Sequence, residues 1–232
     1  MKISEKKAFL QSANQSLEQL YDNVVNLKYL DLNSLHKEDT LMISVDLNNG
    51  FAKKGAMSSP LVKAIIEPTV ATFKQFYDKG IKIIAYTDHH QEDAVEFAMF
   101  PLHCLANTEE SELVTEIQDY VSKIVFKQST NGVLAANPLV QAEMHYENWQ
   151  QEDLDKLENI VITGDCTDIC VYQFAITLKT YLNQNNLKAK VIVLADLIET
   201  YDADYHNAEL NNVIFTNSLL ANGVEVYQGI KE

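Results

Sequence analysis

Cys170 lies in the run Gly164-Asp-Cys-Thr-Asp-Ile-Cys-Val171, just past a glycine turn and at the start of a stretch with helical periodicity. A thiol there can act as a nucleophile, because the unpaired amides and dipole of a helix N-terminus favour the thiolate. Asp46 and Lys127 each close a short apolar run elsewhere in the chain. A carboxylate can accept the thiol proton, and an amine can hold both anions in place. Backbone amides of the Cys166–Cys170 turn can stabilise an oxyanion. Together the three side chains suit covalent cleavage of an amide or ester. An isolated cysteine is more often a buried structural residue. Its coincidence with Asp46 and Lys127 favours the nucleophile.

A second constellation sits nearby in sequence. Asp88 and His90 are two positions apart, so in extended backbone they point to the same side. His103 follows within a short loop, and Glu96 between them can add a fourth ligand. Two imidazoles and a carboxylate suit a divalent metal, Zn, Fe or Mn, with positions left for water or substrate. His89 faces the opposite way and reads as an exposed loop histidine.

Short apolar runs must carry these groups. Leu41–Asp46, Ile81–Thr87, Lys123–Lys127, Asn159–Gly164, Lys190–Ala195 and Val224–Tyr227 are nearly continuous in Val, Ile and Leu. Strands buried on both faces of a parallel sheet have that pattern. Helical periodicity fills the gaps at about 60–79, 109–121, 151–158, 168–184 and 205–221. The alternation predicts an α/β fold, a doubly wound and mostly parallel six-stranded sheet with helices on both faces. Ligands of such sheets sit at the carboxyl ends of the strands. Asp46, Asp88-His89-His90, Lys127 and the Asp165–Cys170 run occupy those ends for the first four strands.

Residues 1–36 differ. Leu10, Leu17, Leu20, Val24 and Leu27 fall near helical spacing among polar residues, which predicts an N-terminal extension of one helix or two. Such a helix packs on the sheet or serves a subunit contact. The expected division is therefore 1–36 as a helical extension and 37–232 as one domain. His206 in the last helical stretch and Trp149 before the fourth strand read as packing residues.

Composition narrows the chemistry. The 232 residues hold 33 acidic side chains and 18 basic ones, a net charge of −15, and every basic residue is a lysine. Such a charge repels a phosphate backbone, which excludes nucleic acid as a partner. The absence of arginine removes the planar fork that grips carboxylate and phosphate. Three cysteines are too few for a disulfide scaffold and fit a reduced compartment. No signal-peptide core or membrane-length apolar run is present, so the expected compartment is the cytoplasm, with no membrane partner. Neither a dinucleotide fingerprint nor a P-loop occurs.

Asp46-Leu-Asn-Asn-Gly-Phe51, Asp88-His-His90, Phe100-Pro-Leu-His-Cys104, Lys127 and Gly164–Val171 together resemble the isochorismatase-like cysteine hydrolases. Within them the chain is most similar to the metal-binding nicotinamidases, over about residues 40–228. The resemblance implies Cys170 as nucleophile, Asp46 as general base and Lys127 as third catalytic residue. It implies that the amides of Cys166 and Cys170 form the oxyanion hole, beside a cis bond joining Asp165 to Cys166. Asp88, His90 and His103 match the metal ligands, with Glu96 where some members supply another. Phe51 and Phe100 match the aromatic positions around the pyridine ring, whose nitrogen the metal holds. The implied activity is nicotinamide hydrolysis, a step of NAD salvage, by a protein that commonly forms homo-oligomers. Asn48, Gly50 and Phe100 depart from the usual Gln, Asp and Trp, and Gln128–Val133 departs from the usual run after the lysine. These changes alter the pocket wall. Another small amide as substrate, or a non-catalytic binding module of the same fold, stays open.

Overall fold

The computed structural model describes residues 3–135 and 156–231. A short strand β1 (Leu30–Asp31) precedes the six apolar runs, which become β2 (Thr40–Val45), β3 (Lys82–Asp88), β4 (Lys123–Lys127), β5 (Asn159–Asp165), β6 (Lys190–Glu199) and β7 (Glu225–Tyr227). They form one parallel sheet in the order β4-β3-β2-β5-β6-β7. Every residue of β2 is buried, as its continuous apolar character requires.

Helices cover both faces. Among the described residues they are α1 (Lys6–Val25), α2 (Asn49–Ala52), α3 (Pro60–Ala64), α4 (Ile66–Asp78), α5 (Thr115–Gln118), α6 (Gly132–Ala135), α7 (Tyr172–Gln184) and α8 (Ala208–Ala221). Ile43, Val45 and Ile162 pack with Phe174, Leu178 and Leu182 of α7 on one side. Met42, Val161 and Ile192 pack with Phe73 and Phe76 of α4 on the other. Period-two alternation within each strand serves the two layers. None of the described helices is long and apolar enough to cross a membrane.

From β2 the chain steps through β3 to β4, then returns to place β5 on the opposite side of β2. The order reverses between β2 and β5, and a crevice opens at their carboxyl ends. Gly164 makes the close approach possible. Its φ is +120°, and a Cβ there would lie 1.8 Å from the Val45 carbonyl oxygen.

Several expected helices differ. The stretch 109–121 holds a 3₁₀ turn (Glu109–Ser111) and α5 only. Its backbone groups are claimed by the segment after β2: Asn49 N–H donates to Glu112 O at 2.9 Å, and Val114 N–H to Leu47 O at 3.0 Å. The last helix begins at Ala208 rather than 205, because the Asn207 side chain caps it by accepting from the Leu210 N–H at 2.7 Å. Residues 156–158 are turn and bend. The rest of the helix expected over 151–158, and Trp149, lie outside the described residues.

The N-terminal stretch forms one helix, α1, with no fully buried residue. Asn217 of α8 holds it, accepting from Asn23 Nδ2 at 2.8 Å and donating to Leu20 O at 2.9 Å. Past it, Leu30, Leu32 and Leu35 enter the core. There β1 pairs in parallel with β8 (Ile230–Lys231), joining the two ends of the chain.

Candidate active site

Asp46, Lys127 and Cys170 arrive from β2, β4 and the turn after β5, and they meet. Lys127 Nζ lies 2.7 Å from Asp46 Oδ2 and 3.9 Å from Cys170 Sγ. It also pairs with Asp88 Oδ1 and donates to Ser129 O at 2.9 Å. Asp46 Oδ1 accepts the Asp88 N–H at 2.9 Å. The Asp46 backbone sits at φ +52°, a region that Asp tolerates better than most residues. Asn48 braces the same turn, donating to Asp88 O at 3.0 Å.

Burial sets the electrostatics. Asp46 and Lys127 are at most 1% exposed. Desolvation, helped by the nearby Asp88 charge, raises Asp46 to about 7 against the pull of Lys127. Burial also opposes the Asp88 charge, but Lys127 and the neighbouring His103 and His90 imidazoles outweigh it and hold that carboxyl below its usual range. Lys127 would lose its proton more easily by burial alone; Asp46, Asp88 and Cys170 push it well above an ordinary lysine. Cys170 departs from the expectation of a helix-stabilised thiolate. It lies in a π-helical turn (Thr167–Val171) ahead of α7, and burial pushes its thiol well up, with Lys127 only partly opposing. Burial of Cys170 thus favours the thiol over the thiolate.

The Thr167–Val171 turn is laced to the loop after β6. Asp168 accepts from Thr200 Oγ1 at 2.6 Å, and its other oxygen lies 2.8 Å from His206 Nε2. The His206 ring stacks on Tyr201 at 4.0 Å, and its Nδ1 lies 2.8 Å from Tyr201 O. His206 is thus structural, as its sequence suggested, but in a loop ahead of α8. The peptide between Asp165 and Cys166 is cis.

Asp88, His90 and His103 also converge, with one ligand atom from each inside 4.8 Å of the others. Asp88 Oδ2 lies 3.4 Å from His90 Nε2 and 3.5 Å from His103 Nε2. His103 Nδ1 is engaged by Pro101 O at 2.7 Å, which leaves Nε2 to face the cluster. Both nitrogens of the fully buried His90 lack a hydrogen-bond partner among the described residues. A buried polar atom without a partner is costly, and a cation at this cluster would satisfy one. The residues present fit a divalent metal. Phe97, which no sequence pattern singled out, packs on both imidazoles at 5.2 and 5.6 Å.

A small cavity lies over these groups. Cys166, Cys170, Asp88, His103, Phe51 and Phe100 line it. Glu96 lines the cavity without joining the three-residue cluster, and burial raises its carboxyl above the usual range. Asp165, unassigned by sequence, lines it too. His89 is half-buried rather than exposed, stacked on Phe126 at 4.1 Å.

This arrangement has relatives. The chain is 28% identical over 180 residues to Nicotinamidase 1 of Arabidopsis thaliana, covering 72% of each. Its fold matches the yeast nicotinamidase with a TM-score of 0.62 at 22% identity, over 81% of this chain and 99% of that one. It matches the zinc-complexed pyrazinamidase of Pyrococcus horikoshii with a TM-score of 0.60 at 20% identity, over 82% and 99%. The isochorismatase domain model matches residues 40–223, which span β2 through α8, so the chain belongs to the isochorismatase family.

Proposed function

We propose that the protein is a cysteine-dependent amidohydrolase whose substrate is a small neutral primary amide, nicotinamide first among them. The single observation that carries this is the buried contact of Lys127 with Asp46, Asp88 and Cys170 beneath a cavity flanked by Phe51 and Phe100. Asp46 takes the thiol proton as Cys170 Sγ attacks the amide carbon. The amides of Cys166 and Cys170 receive the developing oxyanion. The proton held on Asp46 Oδ2 passes to the leaving nitrogen, and ammonia departs. Asp46 then activates a water that cleaves the Cys170 thioester, releasing the acid and restoring the thiol. Lys127 stays protonated throughout and keeps Asp46 and the sulfur in register.

Asp88, His90 and His103 would hold the divalent cation, Zn foremost, with Fe or Mn as alternatives. When bound, it supplies a Lewis-acid site that takes a ring nitrogen of the substrate. Phe51, 5.5 Å from the His103 ring, and Phe100, 6.3 Å from it, would orient the ring plane. Nicotinamide is favoured over other amides by the curated relative, whose name is nicotinamidase.

The test is ammonia release from nicotinamide with and without a chelator. Cys170→Ala should lose turnover by at least about 10³-fold while its circular dichroism is unchanged. Retained turnover would sink the mechanism. An active metal-free protein would refute the anchoring role of the metal cluster.

A further inference from the structure

Asp165 closes β5 and is 1% exposed, yet its Oδ1 has no hydrogen-bond partner among the described residues. Its other oxygen accepts from the Cys166 thiol at 3.9 Å. Lys127, the cation of this cluster, cannot serve it. An ammonium has three donors, and those of Lys127 go to Asp88 Oδ1, Ser129 O and Cys170 Sγ, with Asp46 Oδ2 beside it at 2.7 Å. Burial without compensation is expensive for a carboxyl, and an aliphatic side chain would fill the same strand end without that penalty. Packing alone therefore does not account for an Asp here. The cavity that receives the substrate is lined by Asp165 together with Cys166 and Cys170.

We infer that Asp165 is a specificity-determining residue whose Oδ1 accepts an N–H of the bound substrate, so that the site selects carboxamides over esters of the same acid. The inference rests on the amidohydrolase reading and deepens it. An amide nitrogen carries two donors. Asp46 faces the reacting group from β2 and Asp165 faces the cavity from β5, so a primary amide can satisfy both carboxyls. An ester offers neither donor and leaves Asp165 buried and unpaired. Sites built to hydrogen-bond a substrate group reject analogues that lack it, because their own polar atoms are then stranded. The acceptor role holds whether the carboxyl is ionised or neutral, since Oδ1 carries lone pairs in both forms.

The test compares nicotinamide with methyl nicotinate, which share a ring and differ in the N–H donors. In the metal-loaded protein, Asp165→Val should lower the amide-to-ester ratio of kcat/KM by about tenfold or more, the loss of one hydrogen bond in a water-excluded site. Asp165→Asn, whose Oδ1 still accepts, should keep that ratio within about threefold. An unchanged ratio in Asp165→Val overturns the inference, as does an equal fall in both variants. A second measurement leaves Asp165 intact and requires no turnover. In the Cys170→Ala protein, nicotinamide should bind at least about tenfold tighter than methyl nicotinate, and equal affinities overturn the assignment. Absence of any hydrolysis by the unaltered protein would instead remove the amidohydrolase reading, with the binding comparison still deciding the role of Asp165.

Discussion

Replacing Lys127 with Met isolates what the buried amine does. The side chain length is kept, while the single ammonium in contact with Asp46, Asp88 and the Cys170 sulfur is removed. Asp46 and Asp88 are then left at 0% and 1% exposure without that cation. Breaking a buried ion pair from one side costs about 3–5 kcal/mol. For a domain of this size each kcal/mol lowers Tm by about 2–4 °C, so the expected fall is about 6–20 °C. The penalty must depend on pH, and its sign can be worked out. Asp46 already sits at about 7 in the fold against an ordinary 3.8, and loss of Lys127 raises it further. A carboxyl raised by folding favours the native state below its unfolded value, and that benefit disappears as pH rises through the folded value. Lys127→Met should therefore be least harmful near pH 4 to 5 and most harmful above pH 7. Adding Asp46→Asn should restore about half the loss, because it removes one stranded charge while Asp88 keeps its contacts with His90 and His103. Urea unfolding of chelated protein at pH 5 and pH 8, followed by circular dichroism, measures all of this. A cost below about 1 kcal/mol at pH 8, or no recovery in the double variant, would show that the carboxylates find another cation and refute the reasoning.

Two further outcomes follow from the same geometry. Asp46 must be ionised to accept the thiol proton, so kcat/KM should fall about tenfold per pH unit below an apparent value at or under 7. A cation bound beside Asp88 moves that limb to lower pH, and a profile flat down to pH 4 would exclude Asp46 as the base. His206→Ala removes one of the two side-chain contacts on Asp168, at a cost of about 1.5–3 kcal/mol, and lets the oxyanion turn shift. Steady-state kinetics should show kcat reduced with KM nearly constant; a fall in stability with kcat intact would mean that the clamp serves folding alone.

The site was readable from sequence wherever its residues end strands. Asp46, Asp88, Lys127 and the Cys166–Cys170 run each follow a continuous apolar segment, and the strand-end rule brings them to one rim without any knowledge of side-chain contacts. What stayed hidden depends on contacts between distant segments. The helical pattern over 109–121 is genuine, but Asn48, Asn49 and Leu47 take its backbone partners, and no local signal announces that competition. The same holds for β1 and β8, two-residue strands at opposite ends of the chain. His206 carries no periodic signal for its contact with Asp168. The state of the Cys170 thiol was hidden for a different reason. Position at a helix start favours a thiolate, but complete burial weighs more, and burial cannot be read from spacing.

Charge in the cluster explains why a composition without arginine suits this pocket. Asp46 and Asp88 face one lysine, so the ionised group carries a net negative charge before any ligand arrives. Transfer of the thiol proton to Asp46 only moves that charge onto sulfur. A divalent cation on Asp88, His90 and His103 would turn the balance positive and favour an oxyanion at the Cys166–Cys170 turn, as the proposed mechanism requires. Asp165 adds no further anion while its carboxyl stays neutral, and burial together with Asp46 and Asp88 pushes it that way. A neutral amide preserves this balance. A dicarboxylate would carry two more anions toward a Lys127 amine already shared by two aspartates. On the proposed reading, the charges at the ends of β2, β3, β4 and β5 favour a neutral amide.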